Sequence, residues 1–319
     1  MGKNAAAEFT ARGVKTSIAN YELRNTRPKR LFSALVFLCA LCAFAGNSFA
    51  QSFENLSESI RRGNTEQKRD ALFQIRNLKS EEYSRLAIPA LRDKSEIVRA
   101  TAAFSVVYLP KDEALAVLLP LFSDKKELVR REAAYALGKT ENPNAAASLL
   151  QVLQKDKISE VRAASAVALG EIGDASAVSE LVKILQRKPA EKEEFLRRSA
   201  ARSIGQIAQI IQTGAAKVQT PEDLSNDTNI SIIKPKYPNL IEAFPTFQAA
   251  NALLIQTLQN RRESADVKRE AAFALGAIGS RSAIPVLQAN SNAEDYYLAQ
   301  ISREALRKIP FSANQQNRK

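Results

Sequence analysis

One phrase recurs along the chain, and it constrains the fold more than any other feature. Its fullest copy, DKKELVRREAAYALGKT, spans residues 124–140. When the copies are aligned on one apolar position, the steps between them are 31, 31, 32, 35, 71 and 34 residues. The aligned residues are Gln67, Val98, Val129, Val161, Leu196, Val267 and Ile301. A period of this size is typical of stacked repeats, in which each unit buries its apolar face against the next.

The spacing of apolar residues within one copy predicts an amphipathic helix. Val129, Ala133 and Leu137 recur at intervals of four residues and therefore share one helix face. Asp124 is predicted to cap the start of this helix, and Gly138 to end it in the left-handed conformation.

A second apolar segment follows the phrase in several copies, at residues 116–122, 144–154, 176–186 and 282–288. The unit is therefore helix, turn, helix, and no segment is typical of a strand. We predict an all-α fold, a right-handed α-α superhelix of about six or seven helix pairs over residues 51–311. The terminal pairs should be atypical caps, and residues 312–319 a disordered tail.

The phrase and its second helix carry a family resemblance. The pattern VRREAAYALG at 129–138, together with GDASAVSELVKIL at 173–185, resembles the short bacterial HEAT repeat, also called the PBS lyase (bilin-lyase) HEAT-like repeat. The resemblance covers most of residues 52–310. It implies an armadillo-like solenoid with an extended concave surface for a protein or peptide, and it implies no particular activity.

The step of 71 residues predicts an insertion in the fifth repeat. Residues 212–240 are polar, rich in turn-forming residues and contain three prolines, which favours a long loop. Insertions in solenoids often carry binding specificity, so Lys234, Lys236 and Tyr237 are the candidate partner-binding residues. The alternative is a surface loop without a binding role, because long loops cost little entropy.

Charged residues recur in register with the phrase. The functional interpretation is a basic groove for phosphates or carboxylates. The structural interpretation, which we favour, is a ladder in which each basic residue pairs with an acidic residue of its own or the next repeat. The predicted ladder consists of Asp93, Arg99, Asp124, Arg130, Asp156, Arg162, Glu191, Arg197 and Lys268.

The N-terminal region is typical of a secretory signal peptide. Basic residues precede an apolar run from Leu31 to about Ala45, and a small-x-small triplet ends at Ala50. We predict that residues 1–50, with their long basic n-region, are cleaved and that the protein is periplasmic or secreted. The alternative is an uncleaved N-terminal anchor. The mature chain would have no transmembrane span and 39 Lys/Arg against 32 Asp/Glu, or +7 instead of +12.

The absence of histidine limits the chemistry. A chain with no histidine lacks the commonest general base and metal ligand, and both cysteines lie in the predicted signal. We therefore predict no catalytic residues, no cofactor and no metal, and hence no enzyme. The iron site of deoxyhypusine hydroxylase, a HEAT-like enzyme, needs histidine-glutamate motifs that this chain cannot supply.

These observations predict an exported HEAT-repeat scaffold for protein–protein interaction or assembly. One alternative is a cytoplasmic-type enzyme similar to the bilin lyases. Another is a nucleic-acid-binding HEAT-like protein, which the modest mature charge and the 7% aromatic content disfavour.

Overall fold

A computed structural model describes residues 51–214, 236–237 and 239–309. The predicted signal peptide, Lys234, most of the insertion and the C-terminal tail lie outside these residues. The chain divides into two units, residues 1–57 and 58–319. In the first unit the described residues, 51–57, are helical. The following description concerns the second unit.

Regular structure in the described residues of the second unit is helical throughout. The helices are α1 (Thr65–Leu78), α2 (Glu81–Leu86), α3 (Glu96–Ser105), α4 (Lys111–Leu118), α5 (Glu127–Thr140), α6 (Ala146–Lys155), α7 (Ser159–Ile172), α8 (Val178–Leu185), α9 (Glu194–Thr213), α10 (Leu240–Ala243), α11 (Thr246–Gln259), α12 (Ala265–Ile278), α13 (Ile284–Asn290) and α14 (Tyr296–Lys308). Short 3-10 turns lead into or extend several of them.

The helices form two sets, and each set corresponds to one half of the repeat. The phrase helices are α1, α3, α5, α7, α9, α12 and α14, and each packs on the next in chain order. The partner helices α4, α6, α8, α11 and α13 pack against the phrase helices. Because α9 contacts α12 directly, the stack of phrase helices continues past the insertion. The predicted all-α superhelix of HEAT-like helix pairs is confirmed.

The apolar residues of the phrase form the core between the two sets. Val129, Ala133 and Leu137 are fully buried, as the four-residue spacing predicts. From α1 to α12 the third residue of each phrase helix is the aligned position, and from α3 onwards it is apolar and buried. The repeated apolar positions therefore build one continuous core rather than separate ones.

The prediction that Gly138 ends its helix is wrong. Gly138 lies inside α5, which ends at Thr140 and is capped by Glu141 in the left-handed conformation, with φ of 50°. In α7 and α12 the left-handed caps are Gly173 and Gly279. The prediction failed because a glycine that follows leucine near a helix end can serve in two ways. It can form the left-handed cap, or it can let a neighbouring helix approach closely.

The glycine inside each of four phrase helices, α5, α7, α9 and α12, is a point of close helix contact. A Cβ atom on Gly138 would lie 2.7 Å from the Cα of Ala168, and one on Gly276 would lie 2.7 Å from the Cα of Ala305. A Cβ atom on Gly170 would lie 2.9 Å from the Cβ of Ser203. These distances are too short for real Cβ atoms, so the glycines set the spacing between successive phrase helices.

The last repeat is shifted by three residues from the sequence alignment. Ala305 faces Gly276 as Ala168 faces Gly138, and Leu298 is the third residue of α14. The equivalent of Val129 is therefore Leu298, not Ile301 as predicted. Both residues are buried, so the apolar pattern alone could not distinguish the two registers.

No helix within the described residues is long and apolar enough to cross a membrane.

Candidate functional site

The charged ladder joins successive repeats through carboxylates. Arg99 donates from Nε and Nη2 to the two carboxylate oxygens of Asp124, over 2.7 and 2.9 Å. Arg130 binds Asp156 in the same way, over 2.7 and 3.1 Å. Lys68 makes a single bond of 2.6 Å to Asp93. Each basic residue therefore contacts the acidic residue of the next repeat.

Each ladder aspartate also organises its own repeat. Asp124 accepts a hydrogen bond of 2.9 Å from the backbone N–H of Lys126, the residue that caps α5. The Arg130 guanidinium donates to the backbone oxygen of Asp124 over 2.9 Å. Asp124 thus stabilises the start of α5, although it lies two residues before the capping residue Lys126. It also connects the loop before α5 to the preceding repeat.

The bond between Arg99 and Asp124 shifts the pKa of both partners toward the charged forms. The hydrogen bond from Arg99 lowers the pKa of Asp124 below its ordinary value of 3.8. The same bond raises the pKa of Arg99. These arginines are occupied by carboxylates of the chain itself, so at Arg99 and Arg130 the geometry is that of a structural ladder rather than an open basic groove.

Two predicted ladder residues lie outside the ladder. Within the described part of the chain, Lys268 makes no ion pair, and Arg269, one residue later, binds Asp295 over 2.8 Å. Glu191 likewise forms no ion pair among the described residues. Glu193, which lies 3.8 Å from Arg162, is the nearest carboxylate to that guanidinium. Sequence spacing misplaced both because the loops before α9 and α14 differ in length from the earlier loops.

Arg197 is the most deeply buried member of the ladder. Its side chain and that of Glu263 are each only 2% exposed, and they form a bidentate pair. The Arg197 Nη1 also donates to the backbone oxygens of Ile184, Leu185 and Arg187, at 2.6–3.2 Å. Glu263 was not predicted for this role, because the insertion separates it from Arg197 by 66 residues.

The C-terminal end of the insertion is attached to the end of α9. The backbone N–H of Lys236 donates to the backbone oxygen of Gln212 over 2.8 Å, and that of Tyr237 to the Gln212 side chain over 3.0 Å. The Tyr237 ring contacts Phe244 edge to face at 5.3 Å, and the Lys236 ammonium lies 5.3 Å from the centre of the Tyr237 ring. Two of the three predicted partner-binding residues, Lys236 and Tyr237, therefore attach the end of the insertion to α9. The Lys236 side chain is exposed.

Large apolar side chains are exposed along the phrase helices. We define the front face as the second and ninth residues of each phrase helix, which lie two turns apart on one side. The large apolar residues exposed among those described are Phe73, Leu78, Ile97, Tyr108, Phe195, Tyr296 and Tyr297. All of them lie in a phrase helix or within three residues of its end. Four are front-face residues: Phe73, Ile97, Phe195 and Tyr297.

Arginines lie beside the aromatic residues of the front face. The Arg76 guanidinium lies 4.9 Å from the centre of the Phe104 ring, and that of Arg269 lies 5.3 Å from the centre of the Tyr297 ring. Tyr296 packs edge to face on Tyr297 at 5.7 Å. Aromatic and arginine side chains together are enriched in protein interfaces, so this composition suits a protein partner.

Ion pairs connect α9 to α12 on the same side. Arg198 lies 3.4 Å from Asp266 and 3.7 Å from Glu270, and Arg202 lies 3.8 Å from Glu270. The charges in this part of the surface therefore compensate one another. The sequence analysis missed the front face, because only α3 and α5 carry large apolar residues at both of its positions, Ile97 with Phe104 and Leu128 with Tyr135.

No cluster of three or more potential metal-ligating side chains is present in residues 51–214, 236–237 and 239–309.

The paired helices, continuous core and inter-repeat ladder define the second unit as an α-solenoid. The chain is a HEAT-like repeat protein: the family model for HEAT repeats matches residues 84–169 and 148–225, and that for the PBS lyase HEAT-like repeat matches residues 267–292. The predicted family is confirmed. A search of curated protein sequences found no match.

Solved structures with similar folds include both enzymes and binding proteins. Human deoxyhypusine hydroxylase in complex with glycerol is 18% identical, with 84% of this chain and 99% of that chain covered and a TM-score of 0.36. The CpcE–CpcF complex of phycocyanin lyase from Nostoc is 19% identical, with 80% and 86% covered and a TM-score of 0.45. A designed armadillo repeat protein bound to the peptide (KR)4 is 17% identical, with 80% and 98% covered and a TM-score of 0.38.

We predicted from fold and composition that the protein is not an enzyme, and that prediction is wrong. A hydroxylase and a lyase are among the proteins with a similar helical repeat structure, so enzymatic relatives of this architecture exist. At identities of 18 and 19% the likeness extends to the fold and transfers no activity.

Proposed function

We propose that the protein is an exported HEAT-repeat scaffold that binds a protein partner on the front face. The observation that carries the proposal is the placement of the exposed large apolar side chains, all of which belong to the phrase helices or their ends. Scattered surface apolar residues need no explanation, but four of these side chains occupy front-face positions, in α1, α3, α9 and α14, and so offer a partner several apolar contacts along one side of the stack.

Aromatic geometry on the front face supports the same proposal. Tyr297 and Phe195 are 62% and 47% exposed, and each is the second residue of its helix. Tyrosine rings provide large contact areas at low entropic cost, and Arg269 limits the orientations of Tyr297. A partially ordered aromatic side chain in solvent contributes more to binding than to folding.

The export part of the proposal rests on residues 27–52, with their basic, apolar and small-x-small segments in order. We expect the protein isolated from its own cells to begin at Gln51 and to occur in the envelope or medium. N-terminal sequencing of the fractionated native protein tests this. A full-length chain in the cytoplasm would overturn export.

Partner binding is tested by affinity capture with the mature chain from the envelope fraction. The double variant Phe195→Ala/Tyr297→Ala should capture at least about tenfold less partner, because two hot-spot aromatic residues are removed. The matched control is Lys183→Ala/Arg262→Ala, which changes two exposed residues off the front face. Equal capture by both variants would overturn the front face as the binding surface.

A further inference from the structure

The ladder is incomplete between the fourth and fifth repeats. The copies of the phrase at Val161 and Leu196 are 35 residues apart rather than 31 or 32. The additional residues lie between α8, which ends at Leu185, and α9, which begins at Glu194. The corresponding loop between α6 and α7 contains only residues 156–158.

Arg162 consequently lacks the carboxylate that its equivalents have. Its Nε donates to the backbone oxygen of Leu153 over 3.0 Å, but its Nη1 lies 3.8 Å from Glu193 Oε1, beyond hydrogen-bonding distance. Arg99 and Arg130, by contrast, make two bonds of 2.7–3.1 Å each to an aspartate.

A second arginine lies at the same carboxylate oxygen. Arg187 Nη1 is 3.5 Å from Glu193 Oε1, and its side chain is 52% exposed. Two guanidinium groups thus share one distant carboxylate. Burial and the charge of Arg187 lower the pKa of Arg162, whereas bonding to aspartate raises the pKa of Arg99 and Arg130.

We propose that Arg162 and Arg187 form a binding site for a carboxylate of an acidic peptide segment. The other ladder positions show which ligand this guanidinium position takes in the same fold: a bidentate carboxylate. Arg187 gives the site an exposed entrance, and Glu193 is the group that an incoming carboxylate displaces. The site does not depend on the front face, so it stands apart from the proposed function.

The test uses the mature chain and a fluorescein-labelled hexaglutamate peptide at low ionic strength, with labelled hexaglutamine as the neutral probe. Arg187→Gln should weaken hexaglutamate binding about tenfold, since a charge-assisted hydrogen bond is lost. Lys183→Gln, which removes an equal charge from α8 four residues earlier, should change the affinity less than about twofold. Equal effects of the two variants would overturn the site.

A second variant tests the site by gain of binding. Glu193→Gln keeps the shape of the side chain but removes the competing charge, so hexaglutamate should bind several-fold more tightly. Unchanged or weaker binding by a folded Glu193→Gln variant would overturn the proposal. Inorganic phosphate competing more strongly than glutarate would overturn the assignment to a carboxylate.

Discussion

Gly138 and Gly276 show how a residue without a side chain specifies a contact between helices. Each lies where the next phrase helix approaches within 2.7 Å of the position that a Cβ would occupy. In an ordinary helix interior, replacing glycine by alanine stabilises the protein by about 0.5–1 kcal/mol. The close contact reverses the expected sign.

We therefore expect Gly138→Ala to lower the free energy of unfolding by about 1–3 kcal/mol, because the backbone of Ala168 must move. Urea denaturation followed by circular dichroism measures the change. A stabilised variant would show that the helices are not in close contact at this position.

Arg197 and Glu263 show the cost of breaking a buried ion pair. Arg197→Met should lower the free energy of unfolding by about 3–5 kcal/mol, because it leaves the Glu263 charge buried without its partner and removes the guanidinium donor to three backbone oxygens. The matched variant Arg99→Met should cost about 1 kcal/mol, since water reaches the Asp124 carboxylate.

The double variant Arg197→Met/Glu263→Leu separates charge from packing. It should regain part of the stability that Arg197→Met loses, because no isolated charge remains buried. Urea denaturation of the parent chain, Arg197→Met, Arg99→Met and the double variant measures both effects. Equal losses for Arg197→Met and Arg99→Met would contradict the difference in burial.

At the scale of the helix, the starts of α3, α5, α7 and α14 depend on a carboxylate that also binds a basic residue of the preceding repeat. The pKa of Asp124 is lowered in the folded protein, so the unfolded chain binds its proton more readily. The stability that Asp124 contributes is therefore complete above its unfolded pKa of about 3.8 and is lost as the pH falls through the lower folded value.

Asp124→Asn should accordingly be less stable than the parent chain at pH 7, with the difference shrinking as the pH falls below about 4. Glu66→Gln, a change at an exposed position near the start of α1, is the control for net charge. Urea titrations at pH 7, 4 and 3 measure the difference. A deficit that stays constant over this range would exclude the charged form of Asp124 as its source.

The helices themselves could be predicted from the sequence because each copy repeats the same apolar spacing. The ends of the helices could not. Gly138 was assigned to a cap because a glycine permits both a left-handed turn and a close approach, and only the neighbouring helix distinguishes them. Ile301 was aligned instead of Leu298 because both are buried on one side of α14.

At the scale of the whole second unit, the insertion leaves and rejoins the stack at one place. The backbone N–H of Lys236 bonds to Gln212, near the end of α9, and α9 packs directly on α12. The contact between α9 and α12 is direct, so the stack of phrase helices is continuous on the two sides of the insertion.

Replacing residues 215–235 with a four-residue Gly-Ser linker should leave the fold intact and raise the free energy of unfolding by about 1 kcal/mol, because a shorter loop is closed. Thermal and urea denaturation test the stability. Partner capture should be unchanged if the front face is the binding surface. Loss of capture by this folded variant would instead assign binding to the insertion.

The candidate site could be predicted only in part from the sequence. Arg99, Asp124, Arg130 and Asp156 recur at fixed spacing, and that spacing places them together. Glu263 and Asp295 could not be assigned in this way, because loops of irregular length bring them to Arg197 and Arg269. The front face depends on which residues remain exposed, which the packing of neighbouring helices determines.

The pairing of Arg197 with Glu263 also bears on the order of folding. Arg99 and Arg130 bond to residues 25 and 26 positions away, whereas Arg197 bonds to a residue 66 positions away. Repeats before the insertion can therefore nucleate and extend through local contacts, as one-dimensional arrays do. The fifth repeat can complete its ion pair only when the more distant segment that contains Glu263 is present. Because the N-terminal repeats can form before the segment that contains Glu263 is in place, the array should fold in two cooperative blocks joined at Arg197.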